Sequence, residues 1–240
     1  MTQTQKTVEP FVGKELGTVS FTVTDDVLND YHEGLMLPRQ DHVPSMIASG
    51  PDNAYFEQSS FSNHFGHLWM RQEWELFRPL VANESYEATA HISDIYPKRD
   101  RLVVRYNVEL HDGDDELMLR TRHHQSYLTE QQEGELQFRH PSAKNGGRRF
   151  VEPHGESLGP FKHTISLEMC DRFFHGDANY HTDREESKKL GFKDVVVGGR
   201  MTMSYAAHLM EDHFGEAWWT SGRMDIKFIN PTWPDDTVVV

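Results

Sequence analysis

Between Leu68 and Leu128 the chain keeps one rhythm. Leu102, Val104, Tyr106, Val108 and Leu110 recur at every second position, and on a strand they share one face. Residues from Trp69 to Phe77, from Ser85 to Ile95 and from Glu116 to Leu128 read the same way. Tyr96-Pro97-Lys98-Arg99-Asp100 and His111-Asp112-Gly113-Asp114 are turns by composition. Four long strands in series with short turns demand an antiparallel sheet with one face buried. Before them, residues 11–24 read as a strand, and Asp25-Asp26 cap a helical segment from Val27 to Glu33. Residues 34–53, with Gly34, Pro38, Pro44, Gly50 and Pro51, read as a long loop, followed by a helix from Ala54 to His64.

The pattern then repeats. Thr22-Val23-Thr24…Tyr31-His32 aligns with Thr164-Ile165-Ser166…Phe173-Phe174 at a shift of 142 residues. Arg78-Pro79…Asn83-Glu84-Ser85 aligns with Asn230-Pro231…Asp235-Asp236-Thr237 at a shift of 152. The halves are residues 1–129 and 161–240, joined by a Gln-, Glu-, Gly- and Pro-rich linker over 130–160. By the repeat, two further strands belong after Val240, so the chain is expected to be a truncated version of a longer one. Lys144, Arg148 and Arg149 are the linker's basic cluster, read as solvated or as a phosphate contact.

Composition removes several functions. With 24 Lys and Arg against 38 Asp and Glu, the formal charge is −14, which argues against nucleic acid and anionic membrane surfaces. An anionic ligand must therefore find a local basic patch. One cysteine, Cys170, permits no disulfide within the chain, reads as a small buried residue, and suggests a reducing cytoplasm. No apolar run approaches the ~20 residues of a membrane span. His64, His67 and the pair His123-His124 lack a further ligand in sequence reach, so no metal site is expected.

Chemistry concentrates between Phe173 and Tyr205, FFHGDANYHTDREESKKLGFKDVVVGGRMTMSY. Asp177, Asn179 and His181 lie within five residues. A polar helical segment from Asp183 to Leu190 follows, closed by Gly191. After the apolar run Val195 to Val197, Gly198-Gly199 opens a helix from Met201 to Phe214, whose N-terminal N–H groups suit an anion. Gly176, Asp177, Asn179, His181, Asp183, Gly191, Phe192, Val195, Gly199 and Met201 follow, in order, the signature G-D-x-N-P-[IL]-H-x-D…G-F-x-x-x-[IV]-x-H-G-M. On these residues the chain resembles the MaoC-like hydratases and dehydratases. Three departures stand out: Tyr180 replaces the signature proline, the Asp-to-His spacing is one residue short, and Gly198-Gly199-Arg200-Met201 replaces the H-G-M entry.

The resemblance implies an α+β double hotdog, two curled antiparallel sheets each wrapping a central helix, with the second incomplete. It implies a hydro-lyase of fatty acid metabolism interconverting a 2-enoyl-CoA and a 3-hydroxyacyl-CoA, with no cofactor beyond the CoA of the substrate. Asp177 and His181 would hold the attacking water, and backbone N–H groups at Gly198 and Gly199 would hold the thioester oxyanion. Asn179 and Tyr180 would support the loop. The first half would form the acyl pocket. Arg200 is a departure from the signature, and its reading comes from its own chemistry: at a helix start it could pair with a CoA phosphate or a carboxylated acyl group, or it could be solvated. The protein is expected to be cytoplasmic and to form a homodimer. Two alternatives stand beside this reading: a hotdog acyl-CoA thioesterase and a non-catalytic acyl-CoA-binding subunit.

Overall fold

The computed structural model describes residues 9–130, 132–138 and 154–240. The N-terminal lead-in and the basic residues Lys144, Arg148 and Arg149 lie outside them.

The strand rhythm forms β1 (Glu15–Thr22), β2 (Leu68–Leu76), β3 (Ser85–Lys98), β4 (Arg101–His111) and β5 (Leu117–Leu128). They pair antiparallel in the order β1-β3-β4-β5-β2. On β3 the face carrying Tyr86, Ala88, Ala90 and Ile92 is buried while its neighbours are exposed, the half-buried pattern that the alternation encodes. Register slips between Glu15 and Gly17, Trp69 and Arg71, and Ile92 and Asp94 mark bulges. Each bulge adds local twist and bend, so the sheet curls. β3 also runs further than the turn composition suggests. Pro97 pairs with Leu102 and Lys98 with Arg101, so the turn shrinks to Arg99-Asp100, with Arg99 at φ 60°.

Helix α1 (Asp25–Leu35) is capped by Thr24, whose hydroxyl accepts from the Val27 N–H. Asp25 and Asp26, expected as the cap, instead occupy its first turn, where their charge faces the helix dipole. The stretch read as a loop to residue 53 and a helix from Ala54 is different too. A 3₁₀ segment covers Ser45–Tyr55, and only one α-turn, α2 (Phe56–Ser59), follows. Pro51 denies this segment an α-helical donor, and bonds to the sheet hold it instead. Tyr106 Oη, for example, donates to the Asp52 carbonyl at 3.0 Å.

The second half supplies β6 (Lys162–Thr164), α3 (Leu167–Phe173), α4 (Arg184–Lys189), α5 (Gly199–Phe214), α6 (Glu216–Ser221), β7 (Arg223–Lys227) and β8 (Thr237–Val239). β7 does not stay with its own half. It pairs with β2 and makes the first sheet six-stranded, while β6 and β8 form a separate two-stranded sheet. This is the repeat made visible. In the β2–β7 ladder Arg71 faces Lys227, Glu73 faces Asp225 and Glu75 faces Arg223. Glu73 and Asp225 are 152 positions apart, the shift read from the sequence, so equivalent strands meet about their own midpoint. The same holds for the helices. Tyr31 and Phe173, equivalent at a shift of 142, pack with ring centroids 6.1 Å apart. α1 and α3 cross where Gly34 leaves room for Phe173. A Cβ at Gly34 would stand 2.7 Å from the Phe173 Cα.

α5 is the central helix. One side meets the 3₁₀ segment, where Glu211 Oε1 accepts from both the N–H and the hydroxyl of Ser45 at 2.6 Å. The other side meets the small sheet, where His163 stacks on Tyr205 at 4.5 Å. Cys170 is fully buried, and burial pushes its thiol up to about 12. Among the described residues no helix is long and apolar enough to cross a membrane.

Candidate active site

A cavity of about 1230 Å³ opens between the first half's sheet and the start of α5. Trp69, Tyr106, His123, Phe174, His181 and Arg200 are among the side chains lining it.

His181 is placed from both directions along the chain. Asn179 Oδ1 accepts the His181 N–H at 2.8 Å, while Asn179 Nδ2 donates to the Asp177 carbonyl at 2.9 Å, closing the loop on itself. The His181 ring is clamped flat against Phe174, with centroids 4.6 Å apart and planes 8° from parallel. The Tyr180 ring lies 3.9 Å away, tilted by 38°, and is itself edge-on to His67. His181 Nδ1 lies 2.6 Å from the Val196 carbonyl oxygen. A carbonyl only accepts, so Nδ1 carries the proton and Nε2 keeps its lone pair. Burial is the main cause that pushes the His181 pKa down to about 4, with His67 and Arg200 lowering it further. The ring is therefore neutral at pH 7 with a basic nitrogen available.

Asp177 is placed differently. It is exposed and is not among the residues lining the cavity. His175 and Gly176 both take positive φ, 59° and 71°, and the Asp177 N–H folds back onto the Phe174 carbonyl. The Asp177 carbonyl then accepts from the Thr182 hydroxyl at 2.6 Å. The shortened loop uses this residue as a turn, so the structure does not bring Asp177 and His181 together around the cavity.

Gly198 and Gly199 line the cavity at the start of α5. Gly198 supplies no side-chain cap, and among the described residues no backbone carbonyl accepts from the N–H groups of Gly198, Gly199 or Arg200. All three residues line the cavity with His181, so the positive end of this 16-residue helix borders the same space. The need for glycine here is steric. A Cβ on Gly198 would stand 2.5 Å from Phe174 Cζ, and one on Gly199 would stand 2.9 Å from Trp69 Cε3. Aromatic rings occupy the room that the missing side chains leave.

Several contributors escaped the sequence reading. His123 is sandwiched between Trp69 and Tyr106, at 4.5 and 4.7 Å, and burial pushes its pKa down to about 3. Beneath the wall, Asp52 is buried, and its two carboxylate oxygens accept from Gln72 Nε2 at 2.7 Å and Thr121 Oγ1 at 3.0 Å. Burial outweighs these bonds and pushes its pKa up to about 7. Nothing in the GPDNA stretch distinguishes that aspartate from a turn former. A usable signal did exist at the rim: Lys98, Arg99 and Arg101 form a basic run in an acidic chain, and all three line the cavity. Arg101 is tied to the Gly66 carbonyl at 2.7 Å, while Lys98 and Arg99 are exposed. Burial, then Lys227, Arg99 and Arg71, lower the Lys98 pKa. Among the described residues no group of three His, Cys, Asp or Glu side chains is placed to hold a metal ion.

Residues 150–240 match the family described as MaoC like domain, a span that contains the whole run from Gly176 to Met201. No curated protein sequence matches the chain. Among solved structures, a MaoC-like dehydratase from Phytophthora capsici is 18% identical with a TM-score of 0.66, covering 94% of this chain and 83% of its own. The full-length peroxisomal multifunctional enzyme type 2 of Drosophila melanogaster is 16% identical with a TM-score of 0.65. The match covers 93% of this chain but only 42% of that enzyme, so the chain spans less than half its length. A Mycobacterium tuberculosis protein described as having a double hotdog fold is 11% identical with a TM-score of 0.57, covering 95% of this chain and 82% of its own. The fold is a double hotdog, as the resemblance implied.

Proposed function

We propose, for a chain that carries a MaoC-like domain within a double hotdog, that it adds water to a 2-enoyl-CoA, or removes it from a 3-hydroxyacyl-CoA, with His181 as the proton carrier. The observation that carries this reading is the 2.6 Å bond from His181 Nδ1 to the Val196 carbonyl, which fixes Nε2 as an unprotonated base at the cavity.

The chemistry needs one base, one acid and a place for negative charge. Water gives a proton to His181 Nε2 as its oxygen bonds to C3 of the enoyl group. The C2–C3 π electrons shift toward the thioester, leaving an enolate whose oxygen lies against the open N–H groups at the start of α5. The imidazolium then returns its proton to C2, and the enolate collapses to the 3-hydroxyacyl thioester. One histidine serves both steps. The ring is neutral at pH 7 and so accepts the proton, and the imidazolium it becomes is acidic enough to protonate carbon. Dehydration is the same path reversed.

At the rim, Lys98 and Arg99 offer positive charge to the CoA phosphates of a substrate otherwise repelled by a chain of net charge −14. A thioesterase would want a carboxylate beside the water. The carboxylates among the lining residues, Asp100 and Glu135, are exposed, which favours hydration over hydrolysis. The test is to incubate the protein with crotonyl-CoA and follow the enoyl absorbance and free thiol together. Loss of absorbance with 3-hydroxybutyryl-CoA formed and no thiol released supports the reading. Thiol release, or no hydration of either crotonyl-CoA or 3-carboxyacryloyl-CoA at saturating concentration, overturns it.

A further inference from the structure

Arg200 is the second residue of α5 and lines the cavity. Its guanidinium carbon lies 4.9 Å above the centre of the Phe173 ring. Its Nε is buried without a hydrogen-bond partner. Among the described residues its side chain makes no hydrogen bond and no ion pair. The acid beside it, Asp52, is already engaged by Gln72 and Thr121 and forms no ion pair with it. Gly50 packs beside the group: a Cβ there would stand 3.4 Å from Arg200 Nη1, ordinary contact distance. Asp52 and Tyr31 lie close enough to act on the charge, but neither forms an ion pair or hydrogen bond with the half-buried guanidinium, and the face of one phenyl ring offsets only part of the cost of an unpaired cation. The arrangement is that of a cation awaiting a counter-charge from a ligand.

Position says which part of the ligand. The exposed charges, Lys98 at the end of β3 and Arg99 in the turn after it, sit at the rim, where the strongly hydrated phosphates of CoA can keep their water. Arg200 lies inside, among Phe173, Tyr31 and Asp52, each of them buried. It is two residues from Gly198, where the thioester oxygen is assigned, which places it at the inner end of the cavity rather than at the CoA-phosphate rim, and we assign it to the acyl side. An alkyl chain gives a guanidinium nothing, whereas a carboxylate matches its fork of donors with two parallel bonds.

We propose that Arg200 binds a free carboxylate on the acyl group, so that the substrate is the CoA thioester of an unsaturated dicarboxylic acid rather than of a simple fatty acid. This rests on the hydratase reading above, and it is testable apart from it.

Binding is measured by calorimetry with two saturated probes of equal chain length, 3-carboxypropanoyl-CoA and butyryl-CoA, on the parent, Arg200→Met and Arg200→Lys. The parent binds the carboxylated probe at least about ten-fold more tightly, the effect of one good charge-assisted contact. Arg200→Met abolishes the difference and Arg200→Lys keeps part of it. Equal affinities in the parent, a preference that survives Arg200→Met, or no binding of either probe overturns the inference. Hydration of crotonyl-CoA and of 3-carboxyacryloyl-CoA is followed in parallel. Hydration of both without a binding preference sinks only the assignment to Arg200. A binding preference without hydration of either sinks only the reaction.

Discussion

His181 Nδ1 and the Val196 carbonyl oxygen stand 2.6 Å apart, and this bond decides which nitrogen of the ring can act. It also joins the two segments that build the site, the loop after α3 and the apolar run before α5. With the pKa of the ring pushed down to about 4, the rate should follow a group that titrates well below the ordinary histidine value of 6.5. The expected profile of kcat/KM is flat from about pH 7 down to about pH 5 and falls as pH drops through about 4. A break near 6.5 would show a ring more exposed than the structure has it.

Stability should follow the same groups. His67 and His124 are pushed down to about 4 and His123 to about 3, all chiefly by burial, so with His181 four rings are held neutral in the fold. Each binds a proton more readily when unfolded. Stability from these rings is therefore full above pH 6.5 and is lost as pH falls toward 4. Asp52 and Glu211, whose pKa values burial raises, act in the opposite sense. His32, His42 and His163 are lowered in the same sense as the four rings, so the net expectation is a loss of stability as pH falls below 6.5. Urea unfolding from pH 7 to pH 4.5 measures it, and a flat profile would contradict it.

Gly198→Ala should damage activity more than stability. The Gly198 backbone, at φ −59° and ψ 131°, suits any residue, so the obstacle is the Phe174 ring 2.5 Å from the added Cβ. That ring can rotate away at a cost of about 1–3 kcal/mol, but it is also the one that holds His181 flat. The expected result is a cooperative melt with hydration reduced by at least about ten-fold. Unchanged activity would mean that the stack is dispensable.

Asp52 separates hydrogen bonding from charge. Asp52→Ala leaves Gln72 Nε2 and Thr121 Oγ1 without their acceptors and should cost about 1–3 kcal/mol. Asp52→Asn can accept from Gln72 and donate to the Thr121 hydroxyl, and should stay within about 1 kcal/mol of the parent. Chemical unfolding of both variants at one pH distinguishes these outcomes. Equal losses would show that the negative charge itself is needed.

The strands were legible because β3 and β4 bury one face and expose the other, which alternation reports directly. The repeat was legible to the residue: the shift of 152 reappears as Glu73 facing Asp225. The stretch from Ser45 to Ser59 was not, because its Gly50-Pro51 pair looks the same in a loop as in a 3₁₀ segment pinned by Tyr106 and Glu211. Motif order located His181 and the glycine pair beside the cavity. It could not show that one missing residue turns Asp177 outward, because that depends on positive φ at His175 and Gly176. Arg200 was visible as a departure from the signature, but its want of a partner belongs to three dimensions.

The measurement that bears most directly on the account is hydration of crotonyl-CoA by the parent, His181→Asn and Asp177→Asn under identical conditions. His181→Asn should lose at least about a hundred-fold in kcat, the usual worth of a general acid–base group, while Asp177→Asn should stay within about three-fold of the parent. Loss of activity in Asp177→Asn with His181→Asn unaffected would place the chemistry on the exposed carboxylate and contradict the site described here.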